Sequence, residues 1–387
     1  MRIKHLKVEN FKSLVEFELP LAKFNCLVGL NGSGKSTVLQ FFDFLSQQFR
    51  GNLDDWLSKR QWKASDINSK LIRKNNIDFE VSLLHEDVEI KWSVSFNRQA
   101  LRCTSERITW NDNLILRVED GKYTIWALNK QERKLPVTIP FEYQGSLLSQ
   151  IKESQLTSEI IELKRFFKGL HSLDLLAPEL LRQRTRDTNN SSNNSLGLGG
   201  ERLSAFLYEI SETKRDEILG KLSQAYPQLK QFNVSKMAYG WKKITFQEKF
   251  TNTELNTEAR HIADGFLRML AVFSQLSQEQ SFLLFDEIEN GINPELIEFL
   301  IDSLVEAIPQ ILVTTHSPMV LNYLEDNVAI EGVIYLYKKP NGATQAVRFF
   351  DIPSMREKLT VMGPGEVYED TLLTKLYEEI SMLNNSR

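Results

Sequence analysis

Apolar residues recur through the first thirty positions as Ile3, Leu6 and Val8, then Val15, Phe17 and Leu19, and finally as the unbroken run Phe24 to Val28. This pattern predicts short strands, the last buried on both faces. From Ser36 to Phe49 the spacing changes, and Val38, Leu39, Phe41, Phe42 and Leu45 fall on one face of a helix. Residues 77–127 read as a meander of antiparallel strands, Phe79–Leu84, Glu89–Phe96, Leu114–Val118 and Lys122–Trp126, joined by polar turns. Gly145–Lys168 and Glu201–Leu222 read as helices, and the Asn-, Ser- and Gly-rich run 187–200 between them as a mobile surface loop. Further on, Phe282–Phe285 is a short apolar strand, Pro294–Ala307 an amphipathic helix opened by proline, and Ile311–Val313 another strand. Strand, helix and strand in alternation predict a parallel sheet. No internal repeat appears, and no heptad pattern persists long enough for a coiled-coil arm.

Composition narrows the picture only a little. The chain has 387 residues, 42% of them hydrophobic and 25% charged, an ordinary globular balance with material for roughly two structural units. Lys and Arg number 47 against 51 Asp and Glu, so any nucleic-acid binding must come from local patches. Three such groups stand out: Lys59, Arg60 and Lys63 around Trp62; Lys70, Arg73 and Lys74; and Arg182, Arg184 and Arg186, which alternation in an extended stretch would place on one side. Cys26 and Cys103 fit neither a metal site nor a disulfide framework, and no signal peptide or membrane span is visible. A cytoplasmic protein without membrane attachment is expected.

The chemistry begins at Gly29, Leu30, Asn31, Gly32, Ser33, Gly34, Lys35, Ser36 and Thr37, a full match to G-x-x-x-x-G-K-[ST]. Glycines let the backbone curl so that successive N–H groups face phosphate oxygens, Lys35 places charge on the β and γ phosphates, and Ser36 offers a hydroxyl to Mg²⁺. At the far end, Leu283, Leu284 and Phe285 run into Asp286 and Glu287. Asp286 suits Mg²⁺, directly or through water, and Glu287 suits orientation of an attacking water. His316 follows the next strand, where it could sense the γ-phosphate. Read alone, a strand-end acid pair also fits a helix cap, and a lone histidine also fits a cap or a satisfied core position.

Taken together these stretches resemble the ABC-type ATPases of the RecF, SMC and OLD (overcoming lysogenisation defect) group. Val8 to Ser13, with Lys12, is similar to that group's "nFkS" opening strand; Ile262 to Arg268 resembles its "sDGxxR" signature with Ala263 replacing Ser; Glu289 to Pro294 resembles its D-loop with Asn293 replacing His; Thr314 to Pro318 matches its TTHSP switch. Leu176–Arg182 and Gly200–Leu207 resemble two further stretches, and Gln144 is a candidate for the glutamine loop.

The resemblance implies an α/β fold: an ABC-type core, a parallel sheet with an antiparallel N-terminal β subdomain, formed by residues 1–50 and 262–387, with an inserted α+β and helical lobe at 51–261. It implies ATP and Mg²⁺ as cofactors and a head-to-tail homodimer, or a higher oligomer, in which Asp264 and Gly265 face the partner's phosphate loop. Lys12 joins the expected nucleotide contacts. A membrane transporter is disfavoured by the signature and by the long insert between Thr37 and Ile262. Nuclease activity is not expected in this chain, because Ile334–Arg387 carries no D-x-D. The expected function is an ATP-hydrolysing subunit that scaffolds or regulates a separately encoded nuclease in prokaryotic anti-phage defence of Septu-like kind. The alternative is a repair or maintenance ATPase that clamps DNA or RNA as RecF does.

Overall fold

The computed structural model describes residues 1–128, 134–173, 176–186, 196–197 and 199–385. Two compact units divide the chain, one of Met1–Leu170 with Glu325–Arg387, the other of His171–Leu324.

In the first unit, β1 (Arg2–Glu9) buries Ile3, Leu6 and Val8 on one face. Positions three and six break a strict period of two, and a β-bulge between Ile3 and His5 restores the phase. β2 (Phe17–Pro20) pairs antiparallel with β1, and β3 (Phe24–Val28) is buried at every residue. α1 (Lys35–Arg50) and α2 (Leu53–Lys59) follow. The meander comprises β4 (Asn76–His85), β5 (Val88–Asn97), β6 (Arg102–Trp110), β7 (Asn113–Glu119), β8 (Lys122–Ile125) and β9 (Val137–Thr138), giving one antiparallel sheet ordered β2-β1-β4-β5-β6-β7-β8-β9. β6 has no counterpart among the expected strands. Its inward positions are Cys103, Glu106, Ile108 and Trp110, so a buried carboxylate interrupts the apolar alternation. Because β1 pairs with both β2 and β4, the meander joins the phosphate loop's unit, and the boundaries fall at 170/171 and 324/325 instead of 50/51 and 261/262.

Only the end of the expected helix 145–168 is α-helical, as α3 (Ser158–Lys168); 3₁₀ turns at Leu147–Ser149 and Glu153–Gln155 precede it, the first capped by Ser146. Aromatic rings pack α1 against the sheet and α3: Phe44 meets Phe96 of β5 at 5.0 Å, and Phe49 stacks on Phe167 of α3 at 4.8 Å.

The second unit begins at His171 within β10 (Leu170–Leu173) and continues with α4 (Pro178–Leu181) and β11 (Thr185–Arg186). Most of the expected loop, residues 187–195 and 198, lies outside the described residues. The single helix expected over 201–222 is two, α5 (Leu203–Glu209) and α6 (Glu212–Ala225), because the Ser211 side chain accepts the Lys214 N–H and starts a new helix. β12 (Leu229–Lys236), β13 (Trp241–Phe250) and β14 (Thr253–Glu258) form an antiparallel sheet with β11, and β14 leads into α7 (Asp264–Leu276). β15 (Phe282–Phe285), α8 (Pro294–Val305) and β16 (Gln310–Thr314) form the predicted parallel pair, Phe282 opposite Gln310 and Phe285 opposite Val313. α9 (Pro318–Asn322) closes the unit.

The chain then returns to the first unit with α10 (Asp326–Gly332), β17 (Val333–Lys338), β18 (Thr344–Arg348), α11 (Pro353–Lys358), α12 (Pro364–Glu369) and α13 (Leu376–Asn385). β17 runs parallel to β3 and antiparallel to β18. Among the described residues no helix is long and apolar enough to cross a membrane.

Candidate nucleotide site

Residues 29–34 connect β3 to α1 as an irregular turn, and α1 begins at Lys35. Gly34 adopts φ +113°, and a Cβ there would lie 2.4 Å from Thr344 Oγ1, so both the backbone and the space demand glycine. That threonine, buried in β18, donates to Ser33 O at 2.9 Å, accepts from Lys338 Nζ at 2.9 Å and lies 2.8 Å from Ser13 Oγ. It therefore braces the loop from beneath. Nothing in its sequence surroundings marks it.

The loop's inner groups suit an anion. Ser33 Oγ is buried and has no hydrogen-bond partner. Lys35 Nζ donates to the loop's own carbonyls, Gly29 O at 2.9 Å and Leu30 O at 3.4 Å, and Gly32 borders open space. Asn31, Gly32 and Ser36 are exposed, and Thr37 is half-buried. A cradle with an orphaned hydroxyl and a lysine folded back on carbonyl oxygens fits a phosphate chain. Lys12 is held elsewhere by its own partners: its Nζ donates to Gln40 Oε1 at 2.7 Å and sits 3.3 Å over the Trp62 ring.

In the second unit, β15 and β16 bring Asp286, Glu287 and His316 to neighbouring strand ends. Thr314, buried and given no role by the motif reading, joins them: its hydroxyl donates to Asp286 Oδ1 and accepts the Glu287 N–H at 2.9 Å. Glu287 has φ +47°, a conformation that costs a residue with a side chain. Asn290 Nδ2 donates to its carboxylate at 3.2 Å. Glu289 Oε1 accepts the His316 N–H at 3.0 Å, while His316 itself is exposed. Asn293 caps α8, its side chain accepting the Glu295 N–H, which accounts for asparagine there.

Asp264 and Gly265 open α7. A Cβ on Gly265 would lie 2.3 Å from Gly291 O, so the glycine lets the D-loop carbonyl approach. Arg182 secures the helix start by donating to Ile262 O at 2.7 Å and to the Asp264 carboxylate.

Several expectations change. Arg182 ends α4 and does not share an extended side with Arg184 and Arg186; it faces α7, whereas Arg184 pairs with Glu258 and Arg186 lies opposite Trp241. Arg60 is an inward-facing group, its side chain 2% exposed and paired with Asp43 at 2.7 Å. Gln144, the candidate glutamine loop, accepts the N–H groups of Leu53 and Asp54 and so starts α2.

A strand-bounded phosphate loop, an acidic pair ending a parallel strand and a signature helix define an ABC-type ATPase of the RecF, SMC and OLD group. The chain belongs to the family described as "AAA domain, putative AbiEii toxin, Type IV TA system", which matches residues 24–322. It is 22% identical over 344 residues to the OLD nuclease of Thermus scotoductus, a match covering 82% of this chain and 59% of that protein, so the chain spans less than two thirds of that relative. Among solved structures it resembles the Smc head bound to the C-winged helix domain of ScpA, with TM-score 0.55, 14% identity and coverage of 90% of this chain and 97% of that one. It also resembles the Smc head domain with an extended coiled coil bound to the C-terminal domain of ScpA derived from Pyrococcus furiosus, with TM-score 0.50, 12% identity and coverage of 93% and 99%. Both likenesses are of fold. Family membership carries nucleotide use with it.

Proposed function

We propose that this ATPase binds ATP with Mg²⁺ at the phosphate loop and hydrolyses it as a head-to-tail homodimer. Residues 29–37 grip the phosphates, with Lys35 as the point charge, and Ser36 and Asp286 are the oxygen donors for Mg²⁺. Bound Mg²⁺ supplies charge neutralisation on the phosphates. Glu287 orients the attacking water and accepts its proton, His316 responds to the γ-phosphate, and Asp264 and Gly265 face the partner's nucleotide. Lys12 shifts from Trp62 toward the phosphates when nucleotide is present.

The observation that carries the reading is the phosphate loop itself, where a buried Ser33 hydroxyl lacks a partner beside Lys35. Its test is Lys35→Ala assayed by isothermal titration with MgATP. Binding should fall by about two orders of magnitude or more, as expected when a lysine–phosphate charge contact and its oriented hydrogen bonds are lost. Undiminished affinity would overturn the assignment.

The load on this motor is proposed to be a separately encoded nuclease or effector in cytoplasmic anti-phage defence, restrained by the dimer or by a higher oligomer built from it. Support comes from the relative in Thermus scotoductus, which is named as a nuclease. Phage plating on cells carrying this gene with its genomic neighbours decides the matter. Protection should vanish with Lys35→Ala and with loss of a neighbouring nuclease gene; protection independent of both sinks the defence role. A RecF-like nucleic-acid clamp is the second reading, favoured by the cations Arg184, Lys243 and Arg260 gathered around Glu258.

A further inference from the structure

Two adjoining pockets in the second unit share Arg184. The first, about 240 Å³, is lined by Arg182, Arg184, Lys243, Glu258 and Arg260. Glu258 there receives Arg184 at 3.0 Å, Lys243 at 3.4 Å and Arg260 at 3.4 Å, three cations for one carboxylate. Their hydrogen bonds and charge, that of Arg184 foremost, hold the Glu258 carboxyl below its usual range. The surplus of positive charge makes the pocket a receiver of anions. The second pocket, about 300 Å³, is lined by Arg184, Met237, Ala238 and Trp241 and is almost wholly apolar.

Beside it, the turn joining β12 to β13 carries Tyr239 with φ +60° and ψ +19°, its residue surface 84% exposed. A tyrosine gains neither backbone comfort nor packing at such a place, where asparagine or glycine would be ordinary. Trp241, two residues on, is 43% exposed although it sits in a strand, and Arg186 lies opposite it. Exposed rings next to a cation surplus are what unstacked bases and their phosphates require.

We infer that the face built by Arg184, Tyr239, Trp241, Lys243 and Arg260 binds single-stranded nucleic acid, with bases stacked on the two rings and phosphates among the cations. This rests on the proposed association with nucleic acid and deepens it. A duplex keeps its bases stacked inside and would leave the rings without use. The face also reaches the signature helix. Arg182 runs from the cationic pocket to Asp264, and Phe246, on the opposite side of β13 from Lys243, packs against Phe266 of α7 at 5.0 Å.

Fluorescence anisotropy of the full chain with labelled oligothymidine, about 20 nucleotides long, tests the inference in the absence of ATP. Tyr239→Ala and Trp241→Ala should each weaken binding about tenfold, and Tyr239→Phe should retain it. Arg184→Gln should lower the magnitude of the slope of log affinity against log salt by about 0.7. Unchanged melting temperatures of the two alanine variants show that the fold is intact, since both side chains reach solvent. Undetectable binding by the parent, binding at the parental affinity by both alanine variants, tighter binding of a duplex of the same length, or displacement by polyglutamate as effective as by oligothymidine would each overturn it. Because no ATP is present, failure here leaves the nucleotide-site reading standing, and normal ATP affinity of Lys35→Ala would leave this face standing.

Discussion

Glu106 points from β6 into the first unit's core, 1% exposed, and accepts hydrogen bonds from Ser146 Oγ at 2.6 Å and the Leu147 N–H at 2.7 Å. Burial pushes its carboxyl up to about 7, against the downward pull of those bonds. A raised carboxylate keeps its proton longer in the folded chain than in the unfolded one. Stability from this group is therefore complete below about pH 4.5 and is lost as pH rises toward 7, a change on the order of 3 kcal/mol. Urea unfolding between pH 4.5 and 7.5 should show that fall in the parent and a flatter profile in Glu106→Gln; parallel profiles would place the titrating group elsewhere. At this scale the motif residues were legible because their chemistry is written in contiguous positions. Glu106, Thr344 and the contacts of Thr314, itself part of the switch motif, were not, because each acts through a partner distant in sequence.

α1 shows how an element positions chemistry. Its Phe41, Phe44 and Phe49 anchor it on the meander, and its first residue is the phosphate-loop lysine. The loop's underside then depends on β18, through Thr344. Thr344→Val keeps the shape but removes the hydroxyl shared with Ser33 and Lys338, and should cost about 1–3 kcal/mol in unfolding free energy. MgATP affinity should fall together with the melting temperature, and a parental affinity would mean that the loop holds its form without the brace. Periodicity located α1 and the parallel strands well, since each has a single apolar pattern. It lengthened the helices at 145–168 and 201–222, where capping serines start new turns inside helix-favouring composition.

For the whole molecule, the property to test is the proposed head-to-tail pairing. Glu287→Gln preserves the size of the side chain while removing the proposed base, so ATP should accumulate unhydrolysed and hold two chains together. Light scattering behind size exclusion should find a dimer in MgATP and a monomer without it, with Lys35→Ala added as the variant that cannot close. Parental turnover in Glu287→Gln would assign the base elsewhere, and a monomer in saturating MgATP would reject ATP-gated pairing.

The sequence by itself determined the class of site, because a phosphate loop works through consecutive backbone N–H groups and a strand-end acid pair through adjacent residues, both independent of distant contacts. It also determined the α/β character, through apolar periods read over a few turns or pleats. The tertiary structure alone decided what holds those pieces in shape: Thr344 under the loop, Thr314 across Asp286 and Glu287, Gly291 against Gly265, and Arg182 on Asp264. These are contacts between residues tens to hundreds of positions apart, and short-range patterning carries no signal for them.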